Sequence, residues 1–440
     1  MEHSPTAAPR PHLALSTAIL VALGMVMSTD VLKTAPTVAA NVPPGAFLAL
    51  WIAGGLVTLV GALSYVEMAC AFPDAGGEYS FLARAWGPRV GALYAWSRFA
   101  VMHTGWIALM AHLLADYASA VVPLGPWQRT GMALAIIGLL ALINCLHVRL
   151  GFLTQALLVA LVAAGFSAVA LAGFLVHPAP VAAVPDAPRH LGVALIYVFL
   201  AYGGWSDMAT LSAEVKAGPR GMALVTIGAI GLLIAIYVAL NAAMAAGLGT
   251  AALAHSIAPG ADVARAAFGP WGAGAVVAIV IVSAIASINS TLIVCARVTW
   301  AAARANPALG GIAGWHAARG TPVAAVLAVA GFSALLTVLA GMTGNGFGAM
   351  VDYMTPVYWV FIALGMGAAI RLRRRHDSGQ HDSRQWPVRT PLFPAFPLAF
   401  IGLSCAMLWS SLTELGPAAL VGAGVMVLGA VLERVVRRSG

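Results

Sequence analysis

Long apolar runs separated by short polar gaps constrain this chain more than any other feature. They cover Leu13–Leu32, Ala46–Cys70, Val90–Val121, Gly131–Leu146, Leu150–Val176, Leu191–Leu211 and Met222–Leu248, then Gly272–Ala303, Pro322–Met342, Met350–Ile370, Leu392–Leu412 and Ala418–Val436. About twenty mainly apolar residues cross the hydrocarbon core of a bilayer as a helix, and a helix satisfies its own backbone polar groups there. A membrane β-barrel would show alternation instead of continuous runs. The chain therefore reads as an all-α integral membrane protein with about twelve transmembrane helices. Only 9% of its 440 residues are charged, against 61% hydrophobic, whereas soluble domains carry about a quarter charged residues.

The formal charge of +8 is distributed as membrane topology requires. With the N-terminus cytoplasmic, the inner side receives Arg10, Arg84, Arg89, Arg149, Lys216, Arg220, Arg297, Arg304, Arg319, Arg371, Arg373, Arg374, Arg375, Arg384, Arg389, Arg434, Arg437 and Arg438. The outer side receives only Arg129, Arg189 and Arg265. Positive charge marks the cytoplasmic face, so an even number of spans with both termini inside is expected, in a bacterial inner membrane. The RLRRR run at Arg371–Arg375 then reads as a topology anchor and not as a nucleic-acid patch. No cleavable signal is expected, because the short N-terminal tail runs straight into a full-length span. Cys70, Cys145, Cys295 and Cys405 lack CxxC spacing and read as small core residues.

Two spans are interrupted at comparable depth. The first contains Ser28-Thr29-Asp30, with Lys33 a turn later, and the sixth contains Gly203-Gly204. Corresponding breaks suggest an inverted repeat with a binding site between them. A stray polar cluster plus a glycine pair for helix packing would leave the same marks.

The segment EMACAFPDAGGEYSFLARAWGPRVGALYAW, Glu67 to Trp96, resembles the second-to-third-helix signature of the amino acid–polyamine–organocation (APC) superfamily permeases. Glu67, Pro73, Gly76-Gly77-Glu78-Tyr79, Ala85 and Gly87 carry the match. AYGGWSDMATLSAEVKAGPR, Ala201 to Arg220, is similar to that family's broken sixth helix and the loop after it. SAIASINSTLIVCARVTWAAARAN resembles its eighth helix, TPV at Thr321 the start of its ninth, and RLRRR followed by VRTPLFPAFP its tenth-helix exit. The resemblance implies a LeuT-like 5+5 inverted repeat with helices one and six broken. It divides the chain into a cytoplasmic tail at 1–12, five-helix repeats at 13–176 and 191–370, a basic cytoplasmic loop at 371–391 and two additional helices at 392–436. It also implies a secondary active transporter of amino acids or related amines that works by alternating access, proton-coupled or as an exchanger. The chain departs from the family pattern where Ser28, Thr29 and Asp30 replace a Gly-x-Gly, and where Val162 replaces a lysine that many members carry. A transport-inactive sensor or subunit on the same scaffold is the competing reading.

The expected substrate site comprises Ser28, Thr29, Asp30, Ala201, Tyr202, Gly203, Gly204 and Trp205. Broken helices expose backbone amides and carbonyls, glycines permit close approach, and Tyr202 and Trp205 offer faces for a cation. An ionisable side chain as deep as Asp30 is a functional candidate. It favours a positively charged amine as substrate unless Lys33 neutralises it. Candidates for coupling or gating are Lys33, Asp207, His112, Asp116, Ser283, Ser287 and Asn289. His112 and Asp116 stand four apart on one helical face and form either a proton relay or a solvated structural pair. Asp352 and Tyr353 open the tenth span as a gate or an interfacial cap. There is no GxxxxGK[ST] loop and no HExxH motif, so neither an enzyme nor a cofactor is expected. The expected partners are a small amino acid or amine and lipid, with no nucleic acid.

Overall fold

A computed structural model describes residues 14–72, 77–146, 152–176, 189–213, 215–216, 218–305, 311–312, 314, 316, 321–378 and 386–438. The tail at 1–12, Leu13, Pro73, Gly76, Arg149, Leu150, Arg319 and Arg384 lie outside the described residues. Among the described residues, nine helices are long and apolar enough to cross a membrane, and a bent pair makes a tenth. Two shorter apolar helices, Ala160–Leu175 and Ala418–Glu433, accompany them.

The bent pair is α1 (Leu15–Val26) and α2 (Val31–Asn41), which meet at 59°. Met27 turns extended, with φ −78 and ψ 115. The Ser-Thr-Asp that follows competes with the helix for its own backbone groups. After α3 (Phe47–Ala71) and α4 (Gly77–Trp86), the third span is assembled from three pieces: α5 (Pro88–Ser97), a π-helical turn at Arg98–His103, and α6 (Thr104–Ser119). The π turn displaces carbonyls from the normal ladder, and side chains satisfy two of them. Thr104 Oγ1 donates to Phe99 O at 2.9 Å, and Tyr353 Oη donates to Ala100 O at 2.7 Å.

Helices α7 (Pro126–Leu146) and α8 (Phe152–Leu175) precede α9 (Leu191–Ala201), which stops at Tyr202-Gly203-Gly204 before a 3-10 segment at Trp205–Ala213. Gly204 has φ +84, a left-handed conformation that favours glycine. Then come α10 (Gly218–Leu248), α11 (Thr250–His255), α12 (Pro259–Ala305), α13 (Val323–Gly341), α14 (Gly346–Asp377), α15 (Ala395–Thr413) and α16 (Ala418–Arg438). A break at Gly269, φ 69, separates a short amphipathic start of α12 from its membrane-length part.

Packing brings the two interrupted spans together. α2 lies against α9, and α1 against the 3-10 segment. α10 wedges between α3 and α8, while α12 leans on α6 and α8. Large apolar side chains such as Leu171, Leu232, Leu335 and Trp409 remain exposed on the outer surface, as a lipid-facing belt requires.

Several expectations need correction. The helix α14 continues through Asp377, so the first part of the expected basic loop is helical. Within the RLRRR run, Arg373 is buried and meets Glu67 at 3.1 Å. Glu67 also accepts from Trp386 Nε1 at 2.6 Å and from the Thr390 amide at 2.7 Å. Asp352 does not open a helix: Asn345 caps α14, and Asp352 accepts from the Gly416 amide at 3.1 Å. Cys145 and Cys295 are buried as expected, but Cys405 is exposed on the surface of α15.

Candidate functional site

A cavity of about 520 Å³ opens where the two breaks meet. The end of α1 (Gly24 to Val26), the link residues Met27, Ser28 and Asp30, and the α9 end with Gly203 and Gly204 form its centre. Ser283, Ser287 and Ser290 of α12 close one side, with Met102 and Trp106 of the third span. Phe199, Met354, Tyr358 and Trp359 supply an apolar wall, and Phe199 meets Trp359 edge-on at 5.3 Å.

Distant residues hold the breaks open. Tyr237 of α10 accepts from the Ser28 amide at 3.0 Å and lies 3.2 Å from the Ser28 carbonyl, to which its hydroxyl donates. One phenol thus serves both backbone groups of a residue that has left its helix, as buried backbone groups require. Tyr237 packs 5.3 Å from Tyr202, and Tyr202 Oη donates to Trp51 O at 3.1 Å.

Asp30 is fully buried yet borders the cavity. Neither carboxylate oxygen completes a hydrogen bond of good geometry, although the Ser28 side chain and the amides of Asp30 and Val31 lie near. Its backbone is helical, φ −61 and ψ −25, and it does not cap α2. The sequence left open an Asp30–Lys33 ion pair, and the structure forms another one: Lys33 Nζ meets Asp116 at 2.7 Å and donates to Ile257 O at 3.1 Å.

The remaining expected residues divide by position. Ala201 and Asp207 line the cavity with Ser28, Asp30, Gly203, Gly204, Ser283 and Ser287. Thr29, Tyr202 and Trp205 are buried behind it, and Trp205 packs 4.9 Å from Tyr65. Asn289 accepts from Asn144 at 2.7 Å and ties α12 to α7. His112 and Asp116 do not form a pair. His112 Nε2 bonds to Thr337 O at 3.1 Å, whereas Asp116 joins Lys33 and Arg129, the latter at 3.2 Å.

Sequence reasoning missed a polar network in one wall of the cavity. Arg98 reaches Asp207 at 3.3 Å, Tyr94 Oη at 3.0 Å and His103 Nε2 at 2.9 Å. Glu78 accepts from Tyr65 at 2.7 Å and from Tyr94 at 2.8 Å. The available signal was Arg98 itself, a charge deep in an apolar span. Glu78 was visible in the sequence only as part of a family signature.

Comparison with known proteins agrees with this architecture. A family model described as amino acid permease matches residues 13–427. The chain belongs to the amino acid permease family. This permease is 22% identical over 397 residues to the b(0,+)-type amino acid transporter 1 of Mus musculus, covering 87% of this chain and 79% of that one. It is 26% identical over 409 residues to the large neutral amino acids transporter small subunit 2 of Mus musculus, covering 88% and 73%. An uncharacterised transporter of Mycobacterium bovis is 27% identical over 357 residues, 78% of each chain. In this permease Val162 lines the cavity, so that position contributes apolar surface and no charge.

Proposed function

We propose that this permease is a secondary active transporter of amino acids or related amines, working by alternating access about the breaks in its first and sixth spans. The observation that carries the reading is the cavity of about 520 Å³ at the junction of both breaks, a volume suited to a small molecule. Unwound backbone at membrane depth is tolerated where it lines such a cavity. Its relatives are named as amino acid transporters. In the reading proposed here, two five-helix repeats at 13–176 and 191–370 rock against each other, and the chain crosses a bacterial inner membrane about twelve times with both termini cytoplasmic. Coupling does not use a cation on the fifth span, because Val162 carries no charge; exchange, or proton coupling through a carboxylate, remains. Uptake or counterflow of labelled substrate by purified protein in liposomes tests the proposal. Accumulation or exchange supports it, whereas binding without flux identifies a sensor on the same scaffold.

A further inference from the structure

Three observations about Asp30 converge on the kind of ligand this cavity accepts. The first is its lack of a counter-charge. Lys33, the cation nearest in sequence, is held by Asp116 at 2.7 Å, and Arg98 is held by Asp207 and Tyr94. The other two carboxylates lining the cavity have protein partners: Glu78 takes two tyrosine hydroxyls, and Asp207 takes Arg98. Of the three, Asp30 is fully buried, has no cation beside it, and has only the Ser28 side chain and the amides of Asp30 and Val31 near its oxygens, none at good hydrogen-bond geometry. An ionised carboxylate out of water is strongly disfavoured without a cation.

The second observation is position. Asp30 immediately precedes α2, whose first residue is Val31. The amides of Leu32 and Lys33 are taken by the carbonyls of Thr29 and Asp30 at 3.2 and 2.8 Å, and the amides of Asp30 and Val31 lie near the Asp30 carboxylate, at the helix end that favours an anion. The protein's own carboxylate occupies that position, so a substrate carboxylate brought to that helix end meets like charge. The third is the remainder of the wall. Phe199, Trp359, Trp106 and Met354 line the same cavity, offering ring faces to a cation and apolar surface to a hydrocarbon body.

We propose that the site selects monoamines with an apolar or aryl body and no carboxylate, with Asp30 pairing the ammonium group. This rests on the reading of the cavity as the substrate site. One uncompensated carboxylate matches one positive charge, which places diamines and zwitterions behind monoamines. Binding to purified protein by calorimetry tests the inference with 2-phenylethylamine, phenylalanine, putrescine and the neutral 2-phenylethanol. In the wild type, 2-phenylethylamine is expected to bind at least about tenfold tighter than each of the other three, and Asp30→Asn to weaken it about tenfold or more while phenylalanine changes less than about threefold. Phenylalanine or 2-phenylethanol binding as tightly as 2-phenylethylamine overturns the inference. So does an Asp30→Asn variant with unchanged amine affinity. If that variant fails to fold, the wild-type comparison of 2-phenylethylamine with 2-phenylethanol decides alone. Flux in liposomes separates the two readings: tight amine binding without flux removes transport and keeps the amine site, and flux of phenylalanine without the amine does the reverse.

Discussion

Arg98 shows how much one side chain organises in this permease. It joins Asp207, Tyr94 and His103 from a π turn, and π turns in helices frequently mark functional positions. Its planar fork serves several acceptors together, which a lysine does not reproduce. Arg98→Met is expected to lower initial uptake at least tenfold, and Arg98→Lys to fall between it and wild type, with surface expression measured in parallel. If Arg98→Met keeps the wild-type rate, the network plays no part in the transport cycle. An Arg98→Met/Asp207→Asn double variant should regain part of the thermal stability that the single variant loses, since it removes the Asp207 charge that Arg98 offset.

Among the elements, the break after α9 depends most sharply on one residue. Gly204 has φ +84, and a Cβ there would stand 3.1 Å from Met25 O. Left-handed backbone costs about 1–2 kcal/mol for other residues. Gly204→Ala is therefore expected to lower the melting temperature by several degrees and to reduce uptake; Gly231→Ala, in α10 with open space at its Cβ position, should do neither. Equal melting of the two variants would show that the break tolerates a side chain. Both breaks were legible in the sequence because Ser-Thr-Asp and Gly-Gly are poor helix formers. The π turn was not, since RFAVMH carries no helix-breaking residue and its support comes from the Thr104 hydroxyl and, from α14, Tyr353. Nor was the Tyr237 clamp, whose partner lies 209 residues away in the chain. His112 and Asp116 share a helical face as their spacing dictates, but different neighbours claim each of them. The basic run looked like a loop because charge marks a span's end, yet arginine is a good helix former and α14 continues through it.

Across the whole molecule, buried charge joins parts far apart in sequence. Glu67 binds α3 to Arg373 of α14 and to the segment carrying Trp386 and Thr390. Removing one partner of a buried pair leaves the other uncompensated, at about 3–5 kcal/mol. Glu67→Ala should lower thermal stability by that order while leaving the ranking of ligands unchanged; an altered ranking would place Glu67 in the substrate pathway. The Arg98–Asp207 pair sits at the cavity, deep in the third span, and the Lys33–Asp116 pair near that span's C-terminal end, 18 residues on, or about 27 Å at 1.5 Å per residue. Asp116 belongs to that span in one pair and Arg98 in the other, while Lys33 and Asp207 belong to the two broken spans. In the alternating-access cycle proposed above, parting these pairs would displace fixed charge along the membrane normal in each half-cycle. An elementary charge crossing the full membrane gains about 2.3 kcal/mol per 100 mV, and even a fraction of that makes turnover a function of voltage. Capacitive current on a supported bilayer, recorded during electroneutral exchange and diminished by Lys33→Met, is the expected signature, and the carrier would then respond to membrane potential without moving any net charge across it.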